Sequence, residues 1–148
     1  MSKVIGIAAD HAGFALKSEI KSYIEQAYPT YTIIDFGTDS ENSVDYPDFI
    51  HPLCNALGKN EISEGIIICG SGNGVNITAN KYAFVRSALC WLPEISALAR
   101  QHNNANVIAL PARFISIDTA KEIVRNYFEA TFEGGRHQNR VDKITACL

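Results

Sequence analysis

The sequence predicts an α/β domain: a five-stranded parallel sheet with helices on both faces. Short apolar, β-branched runs alternate five times with helical patterns along the 148 residues. No internal repeat, low-complexity segment or linker divides the chain, so residues 1–148 read as a single domain. The composition is 47% hydrophobic and 20% charged, the profile of a globular chain long enough to bury a sizeable core.

Each element follows from local pattern. "KVIGIAA" (3–9) is a buried strand. After Asp10, Phe14, Leu16, Ile20 and Ile24 recur at helical spacing, with Lys17, Glu19, Lys21 and Glu25 expected on the solvent side. "YTIIDFG" (31–37) is a second strand closed by Gly37, and a polar loop leads to a helix over 48–59. "EGIIICG" is the third strand, and a short helix is expected over 75–82, after the glycines. "VRSALC" is the fourth strand, "EISALARQHN" the fourth helix and "ANVIALP" the fifth strand. "IDTAKEIVRNYFEATF" reads as a helix with Asp118 as its N-cap. The tail, 133–148, is expected to be partly helical.

The bulk numbers exclude some functions. A net charge of −3 gives no general attraction to nucleic acid or anionic membrane, so any basic site is local. No apolar stretch is long enough to span a bilayer. The start, "MSKVIGIAAD", reads as a first strand and not as a signal peptide, which suggests the cytoplasm. Cys54, Cys69, Cys90 and Cys147 form no CxxC pair and no zinc spacing, and free thiols fit that compartment.

Parallel sheets bind ligands beyond the carboxyl ends of their strands. Those ends carry Asp10-His11, Cys69 to Gly74, and Pro111 to Arg113. Gly70, Gly72 and Gly74 alternate with Ser71 and Asn73. Bare backbone N–H groups at a strand-to-helix turn suit an anion; a tight turn needing positive φ is the simpler alternative. The spacing is neither the dinucleotide GxGxxG nor a P-loop, since no Lys-Ser/Thr follows. Cys69 is either a small buried hydrophobe or a thiol aimed at a ligand. Asp10 is either a helix cap or a carboxylate sharing proton transfer with His11. His102, at a helix C-terminus, suits the helix dipole as well as it suits chemistry. Arg136 and Arg140, four apart after Gly134-Gly135, form a phosphate-binding face if helical, with Arg113 a third cation. This inventory suits cofactor-free proton transfer beside a carbonyl on a small phosphorylated substrate.

Six stretches carry a resemblance along the whole chain. They are "DHAGFALK" (10–17), "DYP" (45–47), "GIIICGSGNGV" (65–75), "ANK" (79–81), "RQHNNANV" (100–107) and "EGGRHQNRV" (133–141). In this order and spacing the chain resembles the B-type ribose-5-phosphate isomerases. The resemblance implies a three-layer, Rossmann-like α/β/α fold. It implies interconversion of ribose 5-phosphate and ribulose 5-phosphate, a step of the pentose phosphate pathway, through an enediolate and without metal or cofactor. It implies a homodimer or homotetramer whose active site spans the interface, with the tail 133–148 serving the phosphate site and the dimer contact. Carried over residue by residue, His102 opens the furanose ring near Asp10, and Cys69 moves the proton between C1 and C2. Ser71 and the backbone of Gly70, Gly72, Asn73 and Gly74 hold the enediolate oxygens. Tyr46 and Asn103 line the sugar, and His11, Arg136 and Arg140, assisted by Arg113, bind phosphate. Family members without the cysteine use a glutamate shortly after the glycine loop; here that position is Val75, which implies the cysteine-based variant. The alternatives are an isomerase of a six-carbon sugar phosphate such as allose 6-phosphate, a non-catalytic phosphosugar-binding module, and a nucleotide-binding stress-type domain. Nothing in the pattern points to nucleic acid or membrane as a partner.

Overall fold

The computed structural model describes residues 2–147. Five parallel strands alternate with helices: β1 (Val4–Ala9), α1 (Phe14–Ala27), β2 (Thr32–Asp35), α2 (Pro47–Gly58), β3 (Glu64–Cys69), α3 (Asn73–Ala79), β4 (Ser87–Leu89), α4 (Pro93–Asn103), β5 (Val107–Pro111), α5 (Ile117–Glu129) and α6 (Arg136–Lys143). The strand order is β2-β1-β3-β5-β4, all parallel. Among the described residues, no helix is long and apolar enough to cross a membrane.

Side-chain alternation divides the core into two layers. On one face Ile5, Ile7, Ala9, Ile66, Ile68, Ile108 and Leu110 pack against α1, α4 and α5. On the other Ala8, Ile67, Cys69, Val107 and Ala109 pack against α2 and α3. The two layers make the sandwich that alternating strands and helices require. After β1 the chain moves outward to β2, then returns to place β3 on the other side of β1. The reversal opens a crevice at the carboxyl ends of β1 and β3, where sheets of this kind hold ligands. With β5 beside β3, the three segments singled out in the sequence become neighbours.

Three local expectations need correction. Lys17 is buried, 2% exposed, although the helical pattern puts it on the solvent side of α1. Its Nζ donates to Asp35 Oδ1 and to the Thr38 carbonyl, both at 2.6 Å, which satisfies the buried charge. The cap of α5 is Ser116, whose Oγ accepts from Thr119 N–H at 3.0 Å, and Asp118 lies in the first turn. Helix α3 opens at Asn73, two residues before the expected start and inside the glycine run.

Asp35 makes stability depend on pH. Burial opposes its ionisation, but hydrogen bonds from Lys17, Lys21 and Gly37 N–H outweigh that and hold its carboxyl below the ordinary value. A depressed folded value means the contribution is present above the unfolded carboxylate range and is lost as pH falls through the folded one. Asp35→Asn is therefore expected to flatten the acid limb of a denaturation-midpoint profile. An unchanged limb would count against this pair.

Candidate active site

The carboxyl ends of β1, β3 and β5 enclose a cleft of about 510 Å³. Asp10, His11, Tyr46, Cys69, Gly70, Ser71, Gly74 and Arg113 line it, together with Ala12 and Phe114. Eight residues anticipated from sequence thus meet in one place. Phe114, 76% exposed at the rim, was not anticipated.

Asp10 is 7% exposed and is not the cap of α1, whose N-cap is Gly13 with no side-chain cap bond; its carboxylate closes the turn ahead of the helix. Its Oδ1 accepts from the N–H groups of Ala12 (3.0 Å) and Gly13 (3.1 Å) at the entrance of α1. Both bonds go to one oxygen, leaving Oδ2 for the cleft. His11 Nδ1 accepts from Val44 N–H at 3.2 Å. That bond assigns the ring proton to Nε2, which becomes a donor toward an anion.

The glycine run has a separate reason at each position. Gly72 has φ +74° and stands as the N-cap of α3, in the left-handed region. A Cβ on Gly70 would meet the Arg113 side chain at 3.2 Å, and one on Gly74 would meet the Tyr46 ring at 2.6 Å. The missing side chains let a guanidinium and a phenol lie against the backbone. Among the described residues, the N–H groups of Gly70, Ser71, Gly72 and Gly74 donate to no group of the chain. They remain available to an anion. Gly72→Ala combines left-handed strain with a clash against Leu89 and is expected to cost about 1–3 kcal/mol. Urea denaturation measures it; a change under about 0.5 kcal/mol would show that the turn relaxes freely.

Cys69 closes β3, 5% exposed and facing the cleft from the α2–α3 side. Cys54 and Cys90 are fully buried, and burial pushes both thiols up to about 12. Cys147 is exposed. Val75 is buried in the α2–α3 layer, so no carboxylate reaches the cleft from that position.

The other anticipated residues lie elsewhere. Helix α4 runs back from the end of β4, so His102 and Asn103 sit where β5 begins, at the amino edge of the sheet. The five residues of β5, at about 3.3 Å each, separate that edge from the cleft by roughly 15 Å. Within one chain His102 therefore does not reach Asp10 or Cys69. Asn103 lines a different cleft, of about 360 Å³, with Arg86, Ile144 and Thr145. The tail joins the same edge: Glu133 N–H donates to the Gln101 carbonyl at 3.0 Å. Arg136 and Arg140 lie in α6, one turn apart as the spacing requires. Asn73 is exposed at the start of α3, outside the cleft lining.

His137, not anticipated, stacks on His102 with ring centroids 4.2 Å apart and planes 11° from parallel. Glu133 Oε1 lies 3.5 Å from His137 Nε2 and 3.7 Å from His102 Nε2. Desolvation first, then the charges of His102 and Arg136, hold the His137 pKa below its ordinary value.

The described residues thus form two polar clusters, at opposite ends of the strands. One holds a thiol, a carboxylate, an imidazole, a guanidinium and backbone N–H groups without a partner among the described residues. The other holds two imidazoles and two arginines.

Comparison with known proteins places the chain among sugar-phosphate isomerases. A family profile described as Ribose/Galactose Isomerase matches residues 5–144. Ribose-5-phosphate isomerase B of Escherichia coli is 42% identical over 144 residues, covering 97% of this chain and 95% of that one. A ribose 5-phosphate isomerase structure from Thermotoga maritima superposes with a TM-score of 0.92 at 44% identity, covering 96% of this chain and 97% of that chain. The ribose-5-phosphate isomerase B of Mycoplasma genitalium, solved with bound ribulose-5-phosphate, gives 0.90 at 41% identity, covering 95% and 93%.

Proposed function

We infer the reaction from lineage and geometry together: the chain belongs to the ribose/galactose isomerase family, and it interconverts ribose 5-phosphate and ribulose 5-phosphate. One observation supports this most strongly. A buried strand-end thiol faces the same cleft as the unpartnered N–H groups of Gly70, Ser71 and Gly74.

An aldose becomes a ketose when the C2 proton moves to C1. Cys69, as thiolate, takes the C2 proton, and the electron pair passes through C1=O to give an enediolate. The proton returns to C1, and the O2 proton passes to O1, so that O2 becomes the carbonyl oxygen and O1 a hydroxyl. The carbon acid is weak, so the developing oxyanion needs donors already in place. The Gly70–Gly74 backbone and Ser71 Oγ fit that role, at about 3 kcal/mol for each well-aimed donor. Phosphate bound at a distance fixes C2 against the sulfur. His11 Nε2–H and Arg113 supply part of that hold from the cleft side.

Ring opening and the remaining phosphate contacts need His102, Asn103, Arg136 and Arg140. The distance between the two edges supports a homodimer in which a second copy brings its amino edge to this cleft. His102 then acts on the furanose beside Asp10, Tyr46 and Asn103 border the sugar, and the tail 133–148 contributes at the interface. The same polar set fits a compact pentose, while a six-carbon sugar phosphate is expected to cost about 1–3 kcal/mol in transition-state binding.

The test is direct. Chelator-treated protein is mixed with ribose 5-phosphate, and ribulose 5-phosphate is followed, with allose 6-phosphate in parallel. Fast conversion of the pentose, outpacing the hexose, is expected. Binding of both sugars without turnover would reduce the protein to a phosphosugar-binding module.

A further inference from the structure

We propose that His102, Glu133 and His137 form a site for a divalent transition-metal ion of the zinc class. Their donor atoms all lie within 4.8 Å of one another. A tetrahedral ion with bonds of about 2.0–2.1 Å spaces its ligands by roughly 3.4 Å. Glu133 Oε1 already stands 3.5 Å from His137 Nε2 and 3.7 Å from His102 Nε2. Two imidazoles and one carboxylate are a donor set zinc accepts, with a fourth position left for water.

The rings must splay from their stacked arrangement before both lone pairs meet at one point. Room for that exists, because the His102 and Glu133 side chains are 38% and 50% exposed. The backbone pins the cluster: Glu133 N–H is bonded to the Gln101 carbonyl beside His102, and His137 N–H to the Gly134 carbonyl. Arg136 and Arg140 on the same helix oppose a dication, so the site is weaker than a closed structural zinc site. A bound ion occupies the lone pair that His102 uses on the sugar. The site is therefore inhibitory, a consequence that rests on the role of His102 proposed above.

Untagged, chelator-treated protein is titrated with Co²⁺, followed by visible absorption, with Zn²⁺ as competitor. The expected result is the intense spectrum of four-coordinate Co²⁺, displaced by Zn²⁺. Glu133→Gln and His137→Gln are each expected to weaken binding at least about tenfold, while Cys69→Ser leaves it unchanged. All three are near-isosteric, and circular dichroism checks that they fold. In the isomerase assay Zn²⁺ is expected to lower wild-type turnover at least about tenfold, with recovery on adding chelator. A Co²⁺ spectrum that stays that of the six-coordinate aquo ion overturns the proposal. So does binding abolished by Cys69→Ser and retained in the other two variants. The absorption readout is independent of turnover. Metal binding without isomerisation would count against the function alone, and isomerisation without metal binding against the site alone.

Discussion

Cys69→Ala is expected to lower kcat by about 10²–10⁴-fold while binding of ribose 5-phosphate stays within a factor of about two. The effect follows from where the sulfur lies. It occupies the end of a fully buried central strand, facing a cleft whose anion-binding groups sit on other residues. Removing it deletes the proposed base and leaves His11, Arg113 and the N–H groups in place. Val75 cannot substitute, since it is apolar and packed into the core. Stopped assays give kcat, and calorimetry with substrate gives affinity. A variant that turns over near the wild-type rate would remove Cys69 from the reaction. An equal loss in binding would instead assign the sulfur to substrate contact.

Mixing two inactive variants is expected to restore activity. If the site spans two copies, Cys69→Ala and His102→Ala damage different halves of it. A mixed dimer then concentrates both lesions in one site and leaves the other intact. Random reassortment makes half the dimers mixed, each with one of two sites working, so about a quarter of wild-type activity returns. The variants are co-refolded or co-expressed so that subunits exchange. No recovery in demonstrably mixed dimers would mean that each chain works alone, against the roughly 15 Å that separate the two clusters along β5.

The sheet was legible because every strand is a short apolar run, and alternation with helices leaves few arrangements. The three strand-end segments were legible as a group for the same reason: ligands gather at carboxyl ends. Local propensity misled where tertiary structure overruled it. Glycines 72 and 74 read as a break, yet α3 opens on them, because Gly72 in the left-handed region caps the helix and Gly74 makes room for Tyr46. Lys17 falls on a polar position, but Asp35 and the Thr38 carbonyl draw it inward, and neither partner is near it in sequence. His137 follows directly on Arg136 and carries no signal of its own. Its pairing with His102 bridges a sequence separation of thirty-five residues and depends on the tail docking against α4. The direction of α4 could have been read from topology: a helix after a parallel strand must return to the starting edge, which puts His102 far from Cys69.

The unequal burial of the four thiols has a practical consequence for covalent probes. Cys54 and Cys90 are sealed in the core, with thiols pushed up to about 12. An electrophile of modest size therefore encounters two sulfurs, one at the cleft and one near the carboxyl terminus. Cys147→Ser leaves a chain with one addressable sulfur. Its labelling rate then becomes a direct gauge of cleft occupancy, and a small electrophile carrying a phosphate mimic becomes a route to selective inactivation.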